Sequence, residues 1–143
     1  MKVSANFNLE DYVPSEVFAQ YGENSIWFVD PRLFTITQFI RDRYNVPCYV
    51  NGTLNGQVFN YSGLRTVASK DYTPLSQHTL GKAVDLKGID SATLRTDIIT
   101  NYSTIWKPLG LTTIEADTNG WVHFDVRNTN RPDLFIVPIP VKK

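Results

Sequence analysis

Histidine and cysteine are scarce in this chain: two histidines and one cysteine in 143 residues. One cysteine, Cys48, excludes an internal disulfide and any metal site built from several thiolates. Cys48 lies in the apolar run Val46 to Val50 and reads as a small buried hydrophobe, which argues against a Cys-His enzyme. An excess of either charge is also missing, with 14 basic and 14 acidic residues and a sequence pI near 6.7. No basic patch stands out, so nucleic acid is not an expected partner. No apolar run is long enough to span a bilayer, so no membrane insertion is expected. Met1 to Asn8 is polar and lacks the apolar stretch of a signal peptide, so synthesis in the cytoplasm without one is expected. Low-complexity linkers and internal repeats are absent.

What remains is enough for one folded unit. Hydrophobic residues make up 42% and aromatics 13%, which supports a real core at this length. A single domain over 1–143 is expected, with a proline-containing tail from about Asn128 that wraps the surface and ends in two lysines. Asp30-Pro31 looks like a helix cap followed by proline at the first helical position. Leu33, Ile36, Ile40 and Tyr44 then recur at helical spacing, which predicts a helix over Pro31 to Tyr44. Asp30, Arg32, Arg41, Asp42 and Arg43 read as its solvated face.

Shorter signals fill the rest. A helix is predicted over Pro14 to Tyr21 and another from a Ser91 cap to about Tyr102. Val46 to Asn51 and Val58 to Tyr61 read as strands, with Gly52 to Gly56 as the turn between them. Leu111 to Glu115 and Trp121 to Arg127 read as two strands joined by Ala116 to Gly120. Side chains alternate along a strand, so Trp121, His123 and Asp125 share one face. A register pairing Glu115 with Trp121 puts Glu115 on that face, diagonal to His123. The expected class is α+β, a small antiparallel sheet flanked by helices.

Both histidines fall in motif-like segments: His78 in Ser76 to Asp85, and His123 in Trp121 to Asp125. Two histidines, with a carboxylate seven residues after the first, are the ligand set of a catalytic zinc site, which leaves a further position open for water. His78, Asp85 and His123 are therefore the expected metal ligands. Asp125 is placed to orient a ligand imidazole from behind. Gly81 suits a tight turn or close backbone approach between the first two ligands.

These segments resemble the zinc peptidases that cut D-amino-acid-containing peptides of bacterial cell walls. That family includes zinc D-Ala-D-Ala carboxypeptidases, D-Ala-D-Ala dipeptidases and phage L-alanyl-D-glutamate endolysins, and its fold is shared by the hedgehog signalling domain. The resemblance rests on Ser76, His78, Gly81, Ala83 and Asp85, on Trp121 and His123, and on Ser62, Gly63 and Arg65, in family order over roughly 57–127. It implies one zinc ion, hydrolysis of peptidoglycan stem peptides, and a lysin-like protein acting on the wall after release or within a virion. It implies that Arg65 holds substrate, and it places Ser76 beside the first ligand or the substrate. Trp121 is a candidate for substrate stacking.

One position departs from the pattern. Many family members carry the catalytic carboxylate three residues before the last histidine, where this chain has Gly120. The nearby carboxylates are Glu115, favoured by strand face, and Asp117, favoured by the spacing of a glutamate in the hedgehog fold. Both are candidate bases. The departure also leaves open a non-catalytic, zinc-containing structural or binding module of the same fold.

Overall fold

The computed structural model describes residues 1–138. Pro140 and the two terminal lysines of the expected tail lie outside the described residues. The class is α+β, with helices packed against a four-stranded sheet and a separate two-stranded hairpin. Among the described residues no helix is long and apolar enough to cross a membrane.

Helix α1 spans Ser15–Tyr21 and α2 spans Pro31–Tyr44. Helix α2 starts where the cap signal places it. The Asp30 carboxylate accepts from the Arg32 amide at 3.0 Å, and Pro31 fills the first turn, where a missing N–H costs nothing. It ends at Asn45 in the left-handed region, φ 51°. Its face of Leu33, Phe34, Ile36 and Ile40 is buried. Helix α3 spans Ser91–Thr100 and corrects the expected cap: Asp90, not Ser91, accepts from the Thr93 amide at 3.0 Å. A carboxylate one residue earlier is the stronger acceptor for the exposed N–H groups. The chain then continues through a π-helical turn, Tyr102–Trp106, which buries Trp106 completely.

The strands depart further from expectation. Val46 to Asn51 is not a strand but irregular, bent chain with one bridge, Tyr49 to Lys87. The segment expected to be its turn instead forms a hairpin, β1 (Gly52–Leu54) with β2 (Gln57–Phe59). Asn55 and Gly56 both take positive φ, 50° and 79°, the backbone that a tight two-residue hairpin demands. Strand β3 is Ala83–Leu86, β4 is Thr113–Glu115, β5 is Val122–Asp125 and β6 is Phe135–Val137. The sheet order is β3-β5-β4-β6.

That sheet is mixed, not purely antiparallel, because the supposed surface tail supplies β6, parallel to β4. Phe135, Ile136 and Val137 are strong strand formers and lie between the prolines at 132 and 138, which confine the strand to its short length. Ile114 and Phe124, register partners with no exposed surface, join the sheet to the helices through one core. Cys48 is buried, as its apolar context implies, and burial pushes its thiol up to about 11.

Arg43 is exposed, as expected, and also reaches a neighbouring helix. It grips Asp97 of α3 through Nε at 2.7 Å and Nη2 at 3.1 Å, while Tyr44 and Asn101 donate to the same carboxylate. Burial works against the Asp97 charge, but these donors prevail and hold its pKa down at about 2. A depressed carboxylate contributes stability above its unfolded value of about 4, and that contribution disappears as the pH falls through the folded value. Asp97→Asn should cost about 1 kcal/mol at neutral pH, allowing for solvent screening of a pair near the surface. Denaturant titrations of parent and variant should converge as the pH drops from about 4 to about 2.

Candidate metal centre

Strands β3 and β5 are antiparallel neighbours, and Asp85 is the direct register partner of His123. Cross-strand partners lie close enough for their side chains to meet, and here Asp85 Oδ1 is 3.0 Å from His123 Nδ1. His78 arrives from the loop before β3, with Nε2 3.2 Å from the same oxygen. The two imidazoles stand edge to face with centroids 5.0 Å apart. His78, Asp85 and His123 each turn one ligand atom inward, all within 4.8 Å of one another. They lie close enough to hold one metal ion.

The far nitrogen of each imidazole is pinned. His78 Nδ1 donates to the Gly63 carbonyl at 2.9 Å, and His123 Nε2 donates to Asp125 Oδ2 at 2.8 Å. Each bond orients its ring so that the inward nitrogen can ligate a metal once it gives up its proton. Asp125 has no exposed surface and is itself held by Arg127, through Nε at 2.9 Å and Nη2 at 2.6 Å. Burial resists its charge, yet His123 and Arg127 keep its pKa below the usual carboxylate range. Burial likewise resists charge on Asp85, and donors on His123 and His78 overcome it. For His123, burial disfavours the imidazolium, but Asp125 and Asp85 lift the pKa to about 9.

Two glycines make the approach possible. A Cβ on Gly63 would lie 2.3 Å from the Tyr12 carbonyl oxygen, so only glycine lets this carbonyl reach His78. Gly81 sits at φ +71° against the Phe28 backbone, the close approach its motif position implied. Ser76 supports the first ligand, its Oγ accepting from the His78 amide at 3.3 Å.

Glu115 Oε1 lies 3.5 Å from His123 Nδ1, the inward nitrogen. The register differs from expectation. Thr113 pairs with Asp125 and Ile114 with Phe124, which sets Glu115 opposite His123 and not opposite Trp121. A slip of two residues keeps the face, so Glu115 still points at the cluster. Asp117 is exposed in the following loop and lines neither cavity beside the cluster.

Those cavities measure about 590 Å³ and about 840 Å³ and share Arg65, Asp71, Asp85 and Trp121. The smaller holds the two histidines and Glu115; the larger extends toward the β1–β2 hairpin and Lys87. Arg65 stands between them, with Nη2 3.5 Å from Asp85 Oδ2. Trp121 is partly exposed at the same junction.

Three contributions were not foreseen in the sequence, although Gly63 itself was named there. The Gly63 carbonyl and Arg127 are two. The third is Lys87, buried at 4% exposure and donating to Ser62 Oγ at 2.8 Å and the Asp85 carbonyl at 3.0 Å. Burial pushes its pKa down to about 8 against the pull of Asp85. The available signal was alternation, since Lys87 falls two residues after Asp85 and so shares its face.

Comparison with known proteins finds no matching family, no matching curated protein and no matching solved structure. Function therefore has to be argued from the site.

The Asp125 contact gives a direct prediction. Asp125→Asn should weaken divalent-metal affinity by about 10- to 100-fold, the usual effect of losing a carboxylate behind a ligand imidazole. Competition against a chromophoric chelator measures it.

Proposed function

We propose that this chain is a zinc-dependent peptidase of bacterial peptidoglycan stem peptides. The observation that carries the proposal is the convergence on one point of two imidazole nitrogens with pinned far sides and one carboxylate oxygen. Tetrahedral zinc with bonds of about 2.0–2.2 Å sets neighbouring ligand atoms about 3.3 Å apart. The inward nitrogens lie 3.0 and 3.2 Å from Asp85 Oδ1, so the donor set and spacing suit zinc. The motif resemblance to wall peptidases supplies the substrate class.

Zinc bound there would polarise the scissile carbonyl and acidify a water molecule. Glu115, beside the inward face of His123, takes the proton of the attacking water and returns it to the leaving amine. Arg65 donates to the carbonyl oxygen as its negative charge develops. Asp125 holds His123 in its ligating tautomer. Space on both sides of Asp85 lets a peptide lie across the cluster.

Gly120 favours a second reading, a non-catalytic module that keeps the metal. It stands where many wall peptidases carry their carboxylate, and its φ of +95° is a backbone made for glycine. Purified peptidoglycan incubated with zinc-loaded protein separates the two. Chelator-sensitive fragments, read by mass spectrometry, support the peptidase. Intact wall with one zinc per chain supports the module. Glu115→Gln should lower the cleavage rate by about 100-fold or more with zinc content unchanged, the scale of a lost general base. Full activity in that variant would remove Glu115 from the mechanism.

A further inference from the structure

Lys87 is a buried cation beside the metal cluster that the chemistry above does not use. Lysine is seldom fully buried without a paired anion. The two acceptors on Lys87 Nζ are neutral, a hydroxyl and a peptide carbonyl. Among the described residues no carboxylate forms an ion pair with it, and the Asp85 carboxylate is already engaged by His78, His123 and Arg65. An ammonium has three N–H donors, and two are accounted for.

The surroundings favour an anion from outside the chain. Lys87 and Arg65 both line the cavity of about 840 Å³ that opens beside Asp85. The Phe59 ring lies under the ammonium, 4.4 Å from Nζ to centroid, and Leu54, Val58 and Trp121 line the same space. The apolar side chains packed near the ammonium reduce screening on that side of a cavity otherwise lined by polar groups, so a charge placed against Lys87 interacts strongly with it. A guanidinium fork and an ammonium bordering one cavity suit a carboxylate, which offers several acceptor sites.

We propose that Lys87, with Arg65, forms a carboxylate subsite next to the metal cluster, so that the peptide accepted by this protein carries a free carboxylate close to the scissile bond. This rests on the peptidase reading for the placement of the peptide across the cluster. Lys87 then acts as a specificity-determining residue. It distinguishes an acidic peptide from its amidated form, since an amide carries no charge and brings N–H groups toward two cations that can only donate.

The test is calorimetric titration of the zinc-loaded full chain with N-acetyl-L-alanyl-D-glutamate and with its diamide. The parent protein should bind the acid about tenfold or more tightly than the diamide, as expected for a charge-assisted over a neutral hydrogen bond. Lys87→Met should lose most of that preference with zinc content intact, and Lys87→Arg should keep it. Preference surviving in Lys87→Met overturns the subsite, as does a parent protein that binds acid and diamide alike. The Lys87 Nζ resonance reads the same contact without substitution. It should shift on adding the acid and not the diamide, and a signal unmoved by the acid overturns the proposal even if Lys87→Met fails to fold. Acid preference without wall cleavage would sink the peptidase reading and leave the subsite standing; wall cleavage without acid preference would do the reverse.

Discussion

On the proposed zinc-peptidase reading, replacing His123 by alanine should abolish hydrolysis and bring zinc content from one ion per chain to near none. His123 contributes the inward Nδ1 and is the residue through which Asp125 and Arg127 support the cluster. Loss of a carboxylate behind a ligand weakens metal binding by about 10- to 100-fold, so loss of the ligand itself should exceed that range. The ring is also nearly buried among Asp85, Asp125 and Glu115. Its removal leaves three carboxylates around a void, with Arg127 the remaining close cation for Asp125. Some loss of stability should accompany the loss of metal. Metal analysis and wall digestion on folded variant, checked by circular dichroism, measure both effects. An active, zinc-replete His123→Ala protein would eliminate this centre as the site of chemistry.

Gly81→Ala should destabilise the fold by about 3–5 kcal/mol, a large effect for one methyl group. Two costs combine. The residue sits at φ +71°, where a side chain costs about 1 kcal/mol or more. The new Cβ would also stand 1.8 Å from the Phe28 carbonyl oxygen and 2.8 Å from its carbon, and neither is a flexible side-chain end that can swing away. The glycine cannot retreat easily. Its carbonyl accepts from the Asp30 amide at 2.8 Å and its amide donates to the His78 carbonyl at 3.2 Å. Relief must move either the segment that starts α2 or the loop that carries His78, so metal affinity should fall with stability. Gly120→Ala is the control: φ is +95°, but no atom lies within 4 Å of the added Cβ, leaving only the backbone cost. Denaturant unfolding of both variants measures the contrast. A loss below about 1 kcal/mol at Gly81 would show that the neighbouring backbone yields freely.

What was readable in the sequence was whatever a short window encodes. Asp30-Pro31 and the spacing of Leu33, Ile36 and Ile40 place α2 because caps and helical periodicity are local. Scarcity pointed to His78 and His123, and strand alternation put Asp125 and Glu115 on the ligand face. The misses came from information that no window holds. The β4–β5 register is set by packing across the sheet, and it fell two residues from the inferred pairing. Strand β6 looked like a tail because its partner β4 is about twenty residues away and its flanks are prolines. Asn55-Gly56 was a usable hairpin signal, assigned instead to the turn of a longer strand. Burial of Lys87 depends on the hairpin folding over it, which composition does not report.

The cluster and its surroundings belong to different parts of the architecture. Asp85 and His123 are anchored on paired strands of the central sheet, whereas much of the larger cavity is walled by the β1–β2 hairpin and by residues 68–71 and 119–121. The candidate ligands and the cavity wall are thus physically separable here. On the proposed peptidase reading, exchanging the hairpin for one of another length or charge would retarget the cleft while leaving the strands that carry Asp85 and His123 intact, which would make this small chain a scaffold for grafting new specificities.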